Sequence, residues 1–297
     1  MSRVACTRLA AGCVALAFFS AYPLAQPAQR VAYVTVVDSA TQVPVSGVTA
    51  NQIVIREDGN AREVLTVAPA TSEMPVAVII DNSQAAAPTI NDLRKGLASF
   101  LTAIEGIGPV GLFTVASRPT ILKEYTTSQK ELLEAAGRVF HEPSSGATLL
   151  DTILDVSKGL IKRKSDRAAI VLVTGENTEF TNLHYRDVLD ELQESGAMMY
   201  AVILVNPNGS MSSEEARNRA TVLDRGTRES GGLRDDVLTS MAFEPRLKAL
   251  GQILKSQYRV TYARPQSLIP PEKFEASSAQ AGLEVRGAPA RGQDVKK

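Results

Sequence analysis

The chain has no tryptophan, and its 297 residues include only two cysteines, Cys6 and Cys13, and two histidines, His141 and His184. Both cysteines fall near the start, so the rest of the chain has no thiol for a disulfide, a nucleophile or a soft metal ligand. The histidines are far apart, and neither has a second ligand residue at helical spacing; each reads as a surface or half-buried side chain. Net charge is also missing, because 32 basic residues balance 32 acidic ones without a basic stripe. Nucleic acid is therefore not an expected partner. Aromatic residues are only 5%, which leaves aliphatic side chains to fill the core. Phosphate loops, a Gly-x-Ser-x-Gly elbow and His-Glu-x-x-His are absent, and the chain is not expected to be an enzyme.

What is present begins with a leader pattern. Residues 1–8 carry Arg3 and Arg8 without an acid, and residues 9–21 are apolar. A short apolar core after a basic start is the pattern of a secretory signal peptide, and this one is too short for a comfortable membrane span. Residues 1–25 are expected to be that leader. The mature chain is then expected to be secreted or periplasmic, with no membrane insertion after cleavage.

Residues 31–38, 52–56 and 62–67 are rich in β-branched residues and predict three strands, with Glu57-Asp58-Gly59-Asn60 as a hairpin turn. Residues 30–70 thus form a β arm with too few strands to stand alone. From residue 74 strands alternate with helices. The run 76–80 is continuously apolar, as expected of a strand covered on both faces. Helices are predicted after Thr89, Ser128 and Thr148, each the start of a capping pattern, and strands over 110–115, 120–125, 168–173, 197–205 and 257–262. The fold class is α/β: a doubly wound, mostly parallel sheet over 74–264 with helices on both faces, plus the arm. Residues 265–297 are read as a Pro-rich C-terminal extension, partly disordered.

One segment carries candidate chemistry. Asp81-Asn82-Ser83-Gln84-Ala85 follows the apolar strand, so a carboxylate and a hydroxyl two residues apart can point into one crevice. Oxygen donors so placed suit a hard cation such as Mg²⁺. The same two residues equally make a turn or cap a helix, and Thr148 with Asp151 equally makes a capping box.

Several segments together resemble a von Willebrand factor type A domain. They are the Asp81-x-Ser83 strand end, the loop Ser145-Gly146-Ala147-Thr148, Ser230-Gly231-Gly232 and Ser256-Gln257-Tyr258. Val45-Ser46-Gly47-Val48-Thr49, Ile55-Arg56-Glu57-Asp58-Gly59 and the closing Leu283-Glu284-Val285-Arg286-Gly287-Ala288-Pro289 resemble the secreted bacterial group in which a β arm precedes the domain. The resemblance implies a metal-ion-dependent adhesion site at the top of the sheet. It would be built from Asp-x-Ser-x-Ser, a Thr from a second loop and an Asp from a third, with an open position for a partner's carboxylate. Asp81, Ser83 and Thr148 match. Ala85 replaces the second Ser, and Thr174-Gly175-Glu176 replaces Thr-Asp-Gly, leaving Glu176 as a nearby substitute.

The expectation is a degenerate site of Asp81, Ser83, Thr148 and Glu176, with no cofactor and at most weak Mg²⁺ binding. The same crevice is expected to bind a protein partner. Two alternatives stand beside this reading: a structural role in an envelope assembly, docking through the β arm, and a hydrolase using Asp81 and Glu176.

Overall fold

The structure, a computed structural model, describes residues 28–176, 178–205, 213–265 and 271–291. The expected leader lies outside the described residues.

The core is a six-stranded sheet. In chain order its strands are β5 (Val76–Ile80), β6 (Val110–Thr114), β7 (Thr120–Thr126), β8 (Ala168–Gly175), β9 (Ala197–Leu204) and β10 (Leu233–Val237). Their order across the sheet is β10-β9-β8-β5-β6-β7; the pairs are parallel except for β7, which runs antiparallel at one edge. The chain winds outward from β5 to β7, then returns to β8 on β5's other side and winds outward again. Loops therefore part at the carboxyl ends of β5 and β8, the place where open α/β sheets form crevices.

Alternation along β5 sorts the two faces. Val76, Val78 and Ile80 face a core completed by α1 (Ile90–Ala103), α2 (Gln129–Gly137) and α6 (Phe243–Lys255). Ala77 and Ile79 face the core under α3 (Leu149–Arg163), α4 (Tyr185–Ser195) and α5 (Glu214–Glu229). Burial on both faces explains why the strand reads as an unbroken apolar run.

The arm is built from both ends of the chain. β1 (Ala28–Asp38), β2 (Ile53–Glu57), β3 (Asn60–Arg62) and β4 (Val64–Pro69) come from the N-terminal side. β11 (Tyr258–Arg264), β12 (Phe274–Ser278) and β13 (Leu283–Pro289) return to join them. The sheets are β13-β1-β11-β4 and β12-β2-β3. β1 is buried on both sides: Val31 and Tyr33 join the core of the main sheet, while Ala32, Val34 and Val36 face the arm's own core.

Three details correct the sequence reading. The strand expected over 257–262 as the last of the main sheet is β11, and it lies between β1 and β4. β10 takes its place at the edge; Leu233-Arg234-Asp235-Asp236-Val237 is too acidic for strand propensity to reveal. Within the segment 265–297, β12 and β13 are ordered strands of the arm. Only one of the three expected caps forms as read: Ser128 accepts from Glu131 N–H at 3.4 Å. Thr89 instead donates to Ala86 O, and Thr148 to Val115 O.

Arg167 ties the arm to the main sheet. It is buried. Its guanidinium donates to Ser72 O, Ala70 O and Gln257 Oε1 and lies over the Tyr33 ring.

Candidate functional site

At the carboxyl ends of the strands lies a half-open crevice of about 350 Å³. Its polar lining is Asp81, Thr89, Thr174 and Glu176, and the rest is mostly apolar, including Leu93, Leu238 and Phe243. Asp81 and Thr174 are buried at its base, while Glu176 is exposed at its mouth.

The four residues expected to form one site are not used alike. Asp81 Oδ1 accepts from Ser83 N–H at 3.1 Å, a turn that holds Ser83 buried beside it. Asp81 Oδ2 accepts from the Thr174 hydroxyl at 2.7 Å. Thr148 donates its hydroxyl to Val115 O at 2.8 Å and lies outside the crevice lining. Glu176 reaches the crevice from the loop after β8. Asn82, within the motif but not singled out by sequence, stitches three loops together. It accepts from Ala116 N–H at 3.0 Å, donates to Phe140 O at 3.1 Å, and its carbonyl accepts from Glu142 N–H at 2.8 Å.

Two further residues stand behind the crevice, and neither was read from sequence. Arg219, on α5, is buried and points to the end of β8. Its Nη2 donates at 2.6 Å to Thr174 Oγ1 and at 2.6 Å to Gly175 O, and lies 3.9 Å from Asp81 Oδ2. Its Nε lies 3.8 Å from Glu179 Oε2. Arg219 could have been suspected, because it shares its buried helix face with Val222, Leu223 and Gly226 at the i, i+3, i+4, i+7 spacing. A charged residue on an apolar stripe must find partners.

Glu179 is the second. Its Oε1 accepts from Leu150 N–H at 3.4 Å, so it, not Thr148, serves the first turn of α3. Burial pushes its carboxyl up to about 7, against the attraction of Arg219 and of the Leu150 and Leu149 N–H groups. No local sequence pattern marks it.

These residues do not fit a Mg²⁺ ion, which takes about six oxygen ligands in near-octahedral array. Ala85 offers none, and Gly175 stands where a carboxylate is expected. Both Asp81 oxygens accept hydrogen bonds, the Thr148 hydroxyl is turned to a carbonyl, and a guanidinium lies beside the carboxylate. Among the described residues no group of three or more His, Cys, Asp and Glu is placed to hold a metal.

The mostly parallel sheet with helices on both faces is as expected from the sequence. The architecture is an α/β fold, a mostly parallel six-stranded sheet with helices on both faces and separate antiparallel sheets beside it. Among solved structures, a von Willebrand factor type A protein from Catenulispora acidiphila is similar at 11% identity and a TM-score of 0.49, over 91% of this chain and 75% of that one. An aerotolerance-related membrane protein from Bacteroides fragilis is similar at 14% identity and a TM-score of 0.47, over 61% of this chain and 98% of that one. No family model matches the chain. No curated protein matches it by sequence. In this chain the space beside Asp81 is occupied by the Arg219 guanidinium. Among the described residues, no helix is long and apolar enough to cross a membrane.

Proposed function

We propose that this chain is a secreted or periplasmic protein-interaction module that binds its partner over the crevice above β5 and β8. One observation carries the proposal. Four large apolar side chains are exposed on loops and a short 3-10 turn at this end of the sheet: Phe140 at 65%, Phe180 at 61%, Leu238 at 76% and Met241 at 78%. Leu238 lines the crevice itself. Apolar groups gathered around a recessed polar floor suit a protein surface, where a buried apolar centre supplies most of the binding energy. The proposed location rests on the leader pattern of residues 1–25. The proposal assigns no catalytic group, no cofactor and no essential metal.

The test is capture of partners from envelope extract with wild type and with Leu238→Asp, Met241→Asp and Phe180→Asp. These positions are exposed, so melting temperatures should stay near wild type while recovery of the specific partner falls. Equal recovery by all variants removes this end of the sheet from consideration.

A second reading, docking through the arm, has its own observation. β4 is the outer strand of the arm sheet, with Leu65 exposed on it. Deleting residues 30–70 is not a clean test, since β1 and β4 flank β11 and their loss strips both of its neighbours. Leu65→Lys is the better probe: lost capture with unchanged melting favours the arm. No observation favours the hydrolase reading.

A further inference from the structure

We propose that the Arg219 guanidinium is a built-in replacement for the divalent cation, shaping and neutralising the top of the sheet without metal. The inference uses the proposed docking site only for its location.

The first argument is charge. Asp81 is buried, and a buried carboxylate needs a compensating positive charge. Arg219 supplies one, its Nη2 3.9 Å from Asp81 Oδ2 and its Nε 3.8 Å from Glu179 Oε2.

The second is directionality. A cation coordinates through oxygen lone pairs, whereas a guanidinium only donates hydrogen bonds. Arg219 uses the Thr174 hydroxyl and the Gly175 carbonyl as acceptors, and Thr174 passes its own proton on to Asp81. Asp81 is completed from the other side by Ser83 N–H. The chain Arg219, Thr174, Asp81, Ser83 thus links β5, β8 and α5, the joining role a coordinated ion would have.

The third is the match between what the loops lost and what the helix gained. Gly175 brings a bare carbonyl where the family resemblance implies a carboxylate, and Ala85 brings no oxygen. Each loss lowers the negative charge or the ligand number that a divalent ion requires. A single positive guanidinium with hydrogen-bond donors suits the remainder. No coordination position is then left for a partner's carboxylate.

The test uses the full mature chain and Mn²⁺ or Mg²⁺ alone. Wild type should show no change in melting temperature with millimolar Mn²⁺, Mg²⁺ or chelator, and no bound Mn²⁺ by electron paramagnetic resonance. Arg219→Ala should melt several degrees lower, and Mn²⁺ should not restore it, because Ala85 and Gly175 still supply no ligand. Arg219→Lys, which keeps the charge, should lie between the two and ignore Mn²⁺. Arg219→Ala combined with Ala85→Ser and Gly175→Asp, which returns the missing oxygens, should regain part of the loss in millimolar Mn²⁺. Metal binding by wild type overturns the proposal, as does a triple variant that Mn²⁺ leaves unmoved. If the triple variant fails to fold alone, folding in Mn²⁺ is the readout: recovery supports the replacement, and continued failure overturns it. None of these outcomes depends on a partner. The Leu238 and Met241 variants test the docking surface without reference to metal, so the two proposals fail separately.

Discussion

Arg219 Nη2 stands 3.9 Å from Asp81 Oδ2, with the Thr174 hydroxyl hydrogen-bonded to both. A pair so buried should be strongly coupled. Either side chain left alone strands a charge or a donor in a low-dielectric interior. Asp81→Asn and Arg219→Gln should each cost on the order of 3 kcal/mol, as when one partner of a buried ion pair is removed. The double variant should cost less than the sum, with a coupling of roughly 1–3 kcal/mol. A double-mutant cycle by urea denaturation measures it. Strict additivity would show that the two groups act independently.

Glu179 predicts a pH dependence whose sign is fixed by the direction of its shift. Burial pushes its folded-state carboxyl up to about 7, above the ordinary 4.5. Between these values the folded chain holds a proton that the unfolded chain has released. Stability contributed by this group is therefore full below about 4.5 and is lost as pH rises through 7. The loss has a ceiling of roughly 3 kcal/mol, from about 1.4 kcal/mol per pKa unit. Glu179→Gln should flatten the decline between pH 5 and 7. Denaturant melts across that range check it, and an unchanged slope assigns the decline to other groups.

The parts of the fold that could be read from sequence were those with a local physical signature. The strand Val76–Ile80 announced itself because burial on both faces demands an unbroken apolar run. Gly196, in the left-handed region at φ 65, ends α4 where a glycine takes that backbone at little cost. What escaped depends on contacts distant in the chain. β10 carries Asp235 and Asp236 and becomes a strand only because β9 offers it a parallel partner. Half of the site was legible for the same reason. Asp81 and Ser83 form a motif of adjacent residues, whereas Arg219 lies 138 positions beyond Asp81 and meets it only through the packing of α5. Its one trace in sequence was an arginine on an apolar helix face.

Two motifs read separately in the sequence meet in space. A Cβ on Gly231, at φ 75, would fall 2.1 Å from Gly287 O, and a Cβ on Gly287 would fall 2.3 Å from Tyr33 O. The Ser-Gly-Gly turn therefore rests against β13 where β13 pairs with β1, Val34 opposite Gly287. Backbone atoms cannot give way as a flexible side chain does. Gly287→Ala should destabilise by at least roughly 1–3 kcal/mol, the cost of overpacking, through separation of β1 and β13. Gly159→Ala, where nothing lies within 4 Å, should instead stabilise α3 by roughly 0.5–1 kcal/mol. Thermal melts of the two variants should move in opposite directions; a neutral Gly287→Ala would mean that the strands can separate without loss.

Glu57 should be the keystone of the arm. Its Oε1 accepts from Tyr262 OH at 2.8 Å, and its Oε2 accepts from Arg62 Nε at 2.9 Å and lies 3.5 Å from Arg264 Nε. Glu57 ends β2, Arg62 ends β3, and Tyr262 and Arg264 belong to β11, so one carboxylate joins the two arm sheets. It is buried, and the charge must be met inside. Glu57→Gln keeps the shape and removes the charge, leaving Arg264 buried without its carboxylate; the expected cost is about 3–5 kcal/mol. Tyr262→Phe removes one hydrogen bond to an ionised group and should cost about 1.5–3 kcal/mol. In the Glu57→Gln background that second cost should shrink, because the two substitutions break the same contact. Urea melts monitored at tyrosine, with no tryptophan to obscure the signal, measure all three variants. If Glu57→Gln melts with wild type, the arm sheets are held by their shared apolar core of Val34, Ile55 and Val260 alone.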